Sequence, residues 1–217
     1  MPTSLHYNTV NPFLLEALRC LMRSKLLDKF RLVGGTSLSL QRGHRVSLDI
    51  DLFTDAVYGS IDFDCIARFL EKSFPYVDYI DLKPEGLGKG FFVGKNKDAC
   101  VKLDLFYTDD FIADVLVIDG VRLASIEEII AMKLDVVSRG GRKKDFWDLH
   151  ELMDDFSLAE MIALHKKRYP YNHSKELLIK NLQDFTTADQ DFDPVCLKSK
   201  HWEVVKLDMI DFCHMPE

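Results

Sequence analysis

The segment Ser47-Leu48-Asp49-Ile50-Asp51-Leu52-Phe53 constrains this chain more than any other. It alternates polar and apolar residues, which is the period of a β-strand. Within a strand Asp49 and Asp51 project to one side, roughly 6–7 Å apart at their Cα atoms. Ile50 and Leu52 then face the core on the other side. Aspartate is depleted in strands. Two of them on one face, with no basic residue between, repel each other. A bound hard cation offsets that repulsion best, and carboxylate oxygens are the ligands that Mg²⁺ accepts. Two such ions can clamp the attacking and leaving oxygens of a phosphoryl transfer.

Upstream, Arg31-Leu32-Val33 reads as a short strand running into Gly34-Gly35, and residues 36–42 read as a short helix opened by Thr36-Ser37. Glycine lets backbone approach a ligand closely. A helix N-terminus offers free N–H groups and partial positive charge to a phosphate. Gly34, Gly35, Thr36 and Ser37 are therefore candidate phosphate contacts, the last two through their hydroxyls. Downstream, Val101-Lys102-Leu103-Asp104-Leu105-Phe106-Tyr107 is a second strand with an acid between apolar neighbours. If it pairs beside the first, Asp104 converges on the same metals or serves as the general base for an incoming hydroxyl.

The rest of the chain fills in a mixed pattern. Apolar residues recur at helical spacing from Pro12 to Phe30, with Asn11 as the cap and Pro12 at the first helical position. A helix is predicted over 61–73 and ends before Pro75. Strands are predicted near 76–82, 89–94, 99–107, 115–118 and 121–123, with turns at Pro84-Glu85-Gly86, Lys95–Asp98 and Asp119-Gly120. Ser125 and Glu128 form a capping-box pattern that opens a helix to about Ser138. Further helices are predicted over 143–153, 157–168 and 173–184; residues 186–200 read as loop, and the tail is ambiguous. The expected class is α+β: a mixed-sheet core over residues 1–122, then a helical part over 123–217 that closes a cleft.

Composition sets outer bounds. At 217 residues, 47% hydrophobic and 29% charged, the chain has an ordinary globular make-up. Five cysteines without a CxxC pair indicate neither zinc nor a disulfide framework. No signal-peptide pattern and no apolar run of membrane-spanning length is present, so a reducing cytoplasm is the expected setting. A net charge of −7 argues against coating nucleic acid by bulk electrostatics but leaves room for a local basic patch.

The order Gly-Gly, helix, Asp-x-Asp, strand Asp resembles the DNA-polymerase-β-like nucleotidyltransferases. Within them, GGTSLSL…GHRVSLDIDLF resembles the AbiEii-type toxins, and AMKLDVVSRGGRKKDFWDLHEL resembles that family's later lysine and Lys/Arg-Asp-x-x-Asp-Leu motif. The resemblance spans roughly residues 30–153 and implies a polymerase-β-like fold. It also implies Mg²⁺ or Mn²⁺, a nucleoside triphosphate substrate, an RNA acceptor such as tRNA, and a partner antitoxin. By position it assigns metal to Asp49, Asp51 and Asp104, phosphate to Gly34, Gly35 and Thr36, and the triphosphate to Lys133. Asp145 or Asp148 would complete the helical side of the cleft.

Each assignment has a plainer competitor. Lys133 sits on an apolar helix and could simply snorkel; Asp145 and Asp148 could lie on an exposed face. Arg139, Arg142, Lys143 and Lys144, like Lys166, Lys167 and Arg168, are either solvated surface or a grip on an RNA backbone. His44 and Arg45 either contact substrate or hold their loop. Trp147, His150, His165 and His173 are read as packing or capping residues. Two other functions stay open: a nucleotide-binding regulator without turnover, and transfer onto protein or a small molecule.

Overall fold

The computed structural model describes residues 4–81 and 86–215. Among these, the strands are β1 (Arg31–Leu32), β2 (Asp49–Thr54), β3 (Tyr76–Ile80), β4 (Gly88–Asn96), β5 (Ala99–Tyr107), β6 (Leu116–Ile118) and β7 (Val121–Leu123). The helices are α1 (Pro12–Arg23), α2 (Gly34–Arg42), α3 (Phe63–Ser73), α4 (Ile126–Val137), α5 (Lys143–His150), α6 (Leu158–Arg168), α7 (Lys175–Leu182) and α8 (Trp202–His214). The strands form one mixed sheet in the order β3-β4-β5-β2-β1-β7-β6. The α+β class expected from the sequence is the class observed. Among the described residues, no helix is long and apolar enough to cross a membrane.

Strand β2 lies at the centre, antiparallel to β1 and parallel to β5. Its alternation is realised as expected: Ile50, Leu52 and Thr54 are buried, while Asp49, Asp51 and Phe53 face the other way and are half-buried. The inner face of the sheet packs on α1 and α3, where Leu14, Leu18, Leu21, Ile66 and Leu70 meet Ile50, Leu52, Leu103 and Leu105. A second core joins α2, α4, α5 and α8 through Leu38, Ile130, Leu134, Phe146, Trp147 and Trp202, and Phe53 of β2 packs against it. The acids of β2 thus stand where the sheet meets the second core.

Local signals explain most boundaries. Asn11 accepts the Leu14 N–H at 2.8 Å, with Pro12 at the first position of α1. Asp119 and Gly120 both have positive φ, 52° and 77°, the two-residue turn that joins β6 to β7. The turn expected at Pro84-Glu85 lies outside the described residues.

Several expectations are corrected. Helical spacing runs on to Phe30, but α1 stops at Arg23 and residues Lys25–Leu27 form a 3₁₀ turn. The Arg122 guanidinium, from β7, donates to the carbonyls of Met22, Leu27 and Phe30 at 2.9–3.0 Å. It satisfies the oxygens that a continued helix would have used. The capping box at α4 is only half formed. Ser125 accepts the Glu128 N–H, but the Glu128 carboxylate turns to the Ile112 N–H and to Arg168, both within 2.7 Å. The ambiguous tail is α8, and its Trp202 stacks on Trp147 at 6.1 Å and meets Phe146 and Phe185 edge-on.

Trp202 is therefore an anchor of the second core. Trp202→Ala should lower unfolding free energy by about 3–5 kcal/mol. Urea denaturation would check this; a loss below about 1 kcal/mol would mean α8 is a peripheral attachment.

Candidate active site

The site starts with register. In the parallel β2–β5 pair, Asp51 lies opposite Asp104 and Asp49 opposite Lys102. The pairing inferred from sequence is the one present, and it brings three carboxylates to one patch. Across β4, Gly90 lies opposite Asp104, and a Cβ there would come within 3.2 Å of the Asp104 Oδ1. Glycine keeps that wall open. Lys102 pairs with Asp104 through the Oδ2. The Oδ1 is buried without a hydrogen-bond partner.

The Gly34-Gly35 turn closes over these acids. Gly34 has φ +64°, and a Cβ on it would sit 3.0 Å from the Asp51 Oδ2. Here glycine is needed both for the left-handed backbone and for close approach to the acid. Gly34 and Gly35 belong to the first turn of α2, whose N–H groups have no intrahelical partner. The N-cap is Val33, whose side chain cannot cap. The ladder begins only at the Ser37 N–H, bonded to the Val33 carbonyl.

The hydroxyls predicted to help are turned inward. Thr36 bonds to the Asp49 carbonyl and to Ser47, and Ser37 accepts from Gln41; both residues are buried. The structure thus corrects the expected hydroxyl contacts: the residues of α2 that line the cleft are Gly34 and Gly35, which offer only backbone.

Behind the turn lies a buried ion cluster. The Arg45 guanidinium grips Asp148 with both arms, at 2.6 and 2.8 Å. Lys133 bridges Asp148 and Asp145 at 2.6 Å each. His44 adds a contact to Asp148 at 2.8 Å. Burial would raise the Asp148 carboxyl, but Arg45 and Lys133 hold it well below the usual range. Burial lowers His44 and keeps it neutral. Lys133 stays protonated, since Asp148 and Asp145 outweigh its burial.

So His44 and Arg45 hold the loop. Asp148 is a buried strut without a cleft-facing edge, while Asp145 also takes the Arg142 N–H at 3.0 Å and lines the cleft. Lys133 reaches the cleft wall, but two carboxylates already share its ammonium. Gly35 belongs to this cluster as well, because a Cβ there would strike the Arg45 Nη2 at 2.1 Å.

In front of the acids is a cleft of about 610 Å³. Gly34, Gly35, Asp49 and Asp51 form one wall. Arg139, Arg142 and Lys144 bring positive charge, and Phe53, Met132, Val136 and Tyr169 form an apolar end. Lys144 stands 3.8 Å from Asp49. Sequence reasoning set the basic run aside as surface or RNA grip. The structure divides it: Arg139, Arg142 and Lys144 line the cleft, whereas Lys143 is buried on Asp193. In the second run Arg168 is buried on Glu128, Lys167 is exposed and bonded to the Ile112 carbonyl, and Lys166 is exposed. The signal that could have found Lys144 is its place beside Asp145 at the start of α5.

Among the described residues, no three His, Cys, Asp or Glu side chains are already gathered into a metal-ligand set. The donors nonetheless suit a hard divalent ion. They are all carboxylate oxygens, and the Asp104 Oδ1 is an orphan. Burial, with the charges of Asp104 and Asp49, pushes Asp51 up to about 6. An added cation would relieve all of these.

The whole chain supports the same reading. Residues 16–212 match the family model described as the nucleotidyl transferase AbiEii toxin of a Type IV toxin–antitoxin system. The chain belongs to this AbiEii nucleotidyltransferase toxin family. It is similar to an uncharacterized protein of Aquifex aeolicus, 28% identical over 203 residues, covering 88% of this chain and 89% of that one. Among solved structures it resembles JHP933 from Helicobacter pylori, with a TM-score of 0.55 and 21% identity over 91% of this chain and 88% of that one. It also resembles MenT4, a nucleotidyltransferase toxin from Mycobacterium tuberculosis, with a TM-score of 0.56 and 14% identity over 94% and 84%. At such identities these two show the fold; the family match makes the AbiEii protein a nucleotidyltransferase.

Two acids of this AbiEii protein should respond oppositely to neutralisation. Asp51 is raised in the folded state, so its protonated form stabilises the protein below about pH 4, and that stability is lost as pH rises through about 6. In metal-free buffer at pH 7.5, Asp51→Asn should gain on the order of 1–2 kcal/mol, and the gain should vanish near pH 4. Asp148→Asn should lose about 3–5 kcal/mol, because it leaves the buried Arg45 without its carboxylate and Lys133 with Asp145 alone. Chemical denaturation of both variants across pH checks the pair; equal signs at neutral pH would refute the division.

Proposed function

We propose that the protein transfers a nucleoside monophosphate from a nucleoside triphosphate, with Mg²⁺ or Mn²⁺, to a hydroxyl of RNA, the 3′ end of tRNA being the favoured acceptor. It would do so as the toxin of a toxin–antitoxin pair, held in check by its antitoxin. The observation that carries this reading is the register that sets Asp51 opposite Asp104 beside the Gly34-Gly35 turn. Acids for a metal and backbone N–H groups for a phosphate then share one cleft.

In this reading Asp49 and Asp51 hold the metal, with Asp104 as the third acid. The metal, when bound, neutralises phosphate charge and favours in-line displacement. The backbone N–H groups of Gly34 and Gly35 take phosphate oxygens. Lys144 and Arg142 balance charge on the leaving pyrophosphate, while Lys133 aligns Asp145 and Asp148. The acceptor oxygen bonds to the α-phosphorus as the bond to pyrophosphate breaks, and Asp104 assists removal of the acceptor proton. The helical part, residues 123–217, closes the cleft over the nucleotide.

An acceptor must reach the same acids. A trough of about 1070 Å³ adjoins the cleft, with Tyr169 lining both. Its walls carry Tyr58, Tyr107, Phe111 and Tyr171, with Tyr171 98% exposed. Tyr58 and Tyr171 are exposed, and such rings suit unpaired bases, which stack irrespective of sequence; Tyr107 and Phe111 are half-buried, and Arg31 lies over the Phe111 ring at 3.7 Å. Asp55, Asp109 and Asp110 stand in the same lining as Lys167, whose ammonium is on the Ile112 carbonyl, and Arg168, which is buried on Glu128. The trough therefore carries both signs of charge, and its exposed rings are what would hold a strand end by its bases.

The test is label transfer from each α-labelled nucleoside triphosphate onto total RNA. Asp49→Ala should remain folded and lose at least roughly 100-fold in activity, the scale of removing one transition-state contact. Lys144→Met should raise the nucleotide KM about tenfold, as for one charge-assisted hydrogen bond. Label on protein instead of RNA would move the acceptor to a polypeptide. Nucleotide binding with no product from any acceptor would favour a regulator without turnover.

A further inference from the structure

The patch around the acids is a square of four charges, and only three are acids. Lys102 occupies the fourth corner, opposite Asp49 on β2 and two residues from Asp104 on its own strand. Period two places its side chain on the same face as all three. Its ammonium is bound to the Asp104 Oδ2, and the lysine side chain is 38% exposed, against 15% for the aspartate. The other cations nearby are placed differently. Lys133 and Arg45 are buried on Asp145 and Asp148, and Lys144 stands 3.8 Å from Asp49. Asp104 therefore has a resident counter-charge on its own strand, while Lys102 and Lys144 act on Asp51 only from a distance and are paired with other acids.

We propose that Lys102 is a built-in counter-cation for Asp104 that limits the substrate-free protein to one divalent ion, held by Asp49 and Asp51. A second ion at Asp104 either displaces the ammonium from the Oδ2 or takes the orphan Oδ1 of the same carboxylate beside it, so the two positive charges meet on one acid. Two cations within a few ångströms also repel strongly. Lys102 can leave without disturbing the core, since it is half-exposed and flexible. Asp104 then becomes free when a bound triphosphate draws the lysine or an ion toward its own charge. Lys102 is thus a positioning residue acting through Asp104. This inference rests on the metal assignment above.

Mn²⁺ binding to the protein without nucleotide, followed by the electron-spin resonance of free Mn²⁺, tests it directly. Wild type and Lys102→Arg should each bind one ion. Lys102→Met should bind two, or bind its ion at least tenfold more tightly, and adding Asp104→Asn to it should remove the gain. Lys102→Gln gives the same comparison should the methionine variant not fold. Two ions on wild type, or wild-type binding by both the Lys102→Met and Lys102→Gln proteins, would overturn the role of Lys102 and leave the metal assignment standing. No Mn²⁺ on wild type, with no change in Asp51→Asn, would overturn the metal assignment itself.

Discussion

The buried carboxylate of Asp148 is the point on which the geometry of this protein depends. It sits on α5, yet its partners come from the loop before β2, through His44 and Arg45, and from α4, through Lys133. Taking such charges out of water costs several kcal/mol per ion, and only excellent geometry offsets it. Here two acids, Asp145 and Asp148, face two cations, Arg45 and Lys133, with His44 neutral, so the cluster balances. Its reward is position. Because Arg45 packs against Gly35, the turn over the acids cannot move independently of α5. The same constraint rules out any side chain at residue 35.

The acids of the cleft obey the opposite logic. Asp148 is satisfied and structural, whereas Asp51 is half-buried beside Asp49 and Asp104 without an adequate counter-charge. A fold selected for stability alone would not place three carboxylates on one face of β2 and β5. That unresolved repulsion is what makes the cleft receptive to a cation. It can persist because the burial of Ile50, Leu52, Leu103 and Leu105 on the reverse face holds both strands in register. Core packing thus sustains a charge arrangement that the charges themselves oppose.

Features governed by short-range patterns were legible in the sequence. Alternation in Ser47–Phe53 placed Asp49 and Asp51 on one face, and the alternation in Val101–Tyr107 singled out Asp104. Asn11-Pro12 and Asp119-Gly120 marked their cap and turn. What escaped was set by partners distant in the chain. Arg122 ends α1 by taking carbonyls about a hundred residues away. Glu128 leaves its capping box because Arg168 and the Ile112 N–H lie nearer to its carboxylate. Lys102 looks like an ordinary outward residue until register sets it against Asp49. Thr36 and Ser37 look like ligand contacts until the packing of α2 on β2 turns their hydroxyls inward.

Burial sorts the cations by what they can still do, and composition cannot. Arg45, Lys133 and Arg168 are buried, and carboxylates hold each of them, so an arriving phosphate gains little from them. Lys102 is half-exposed and tied to one acid, so its charge can be redistributed but is not idle. Lys144 and Arg142 line the cleft itself. Burial, together with Arg142 and Lys133, lowers the Lys144 ammonium from its usual range. An anion entering the cleft favours that ammonium, so phosphate offsets at this wall what burial and the cationic neighbours oppose. An overall charge of −7 is therefore no obstacle to a polyphosphate substrate. The negative surface repels it generally, while the few cations able to respond stand beside the acids that would position it.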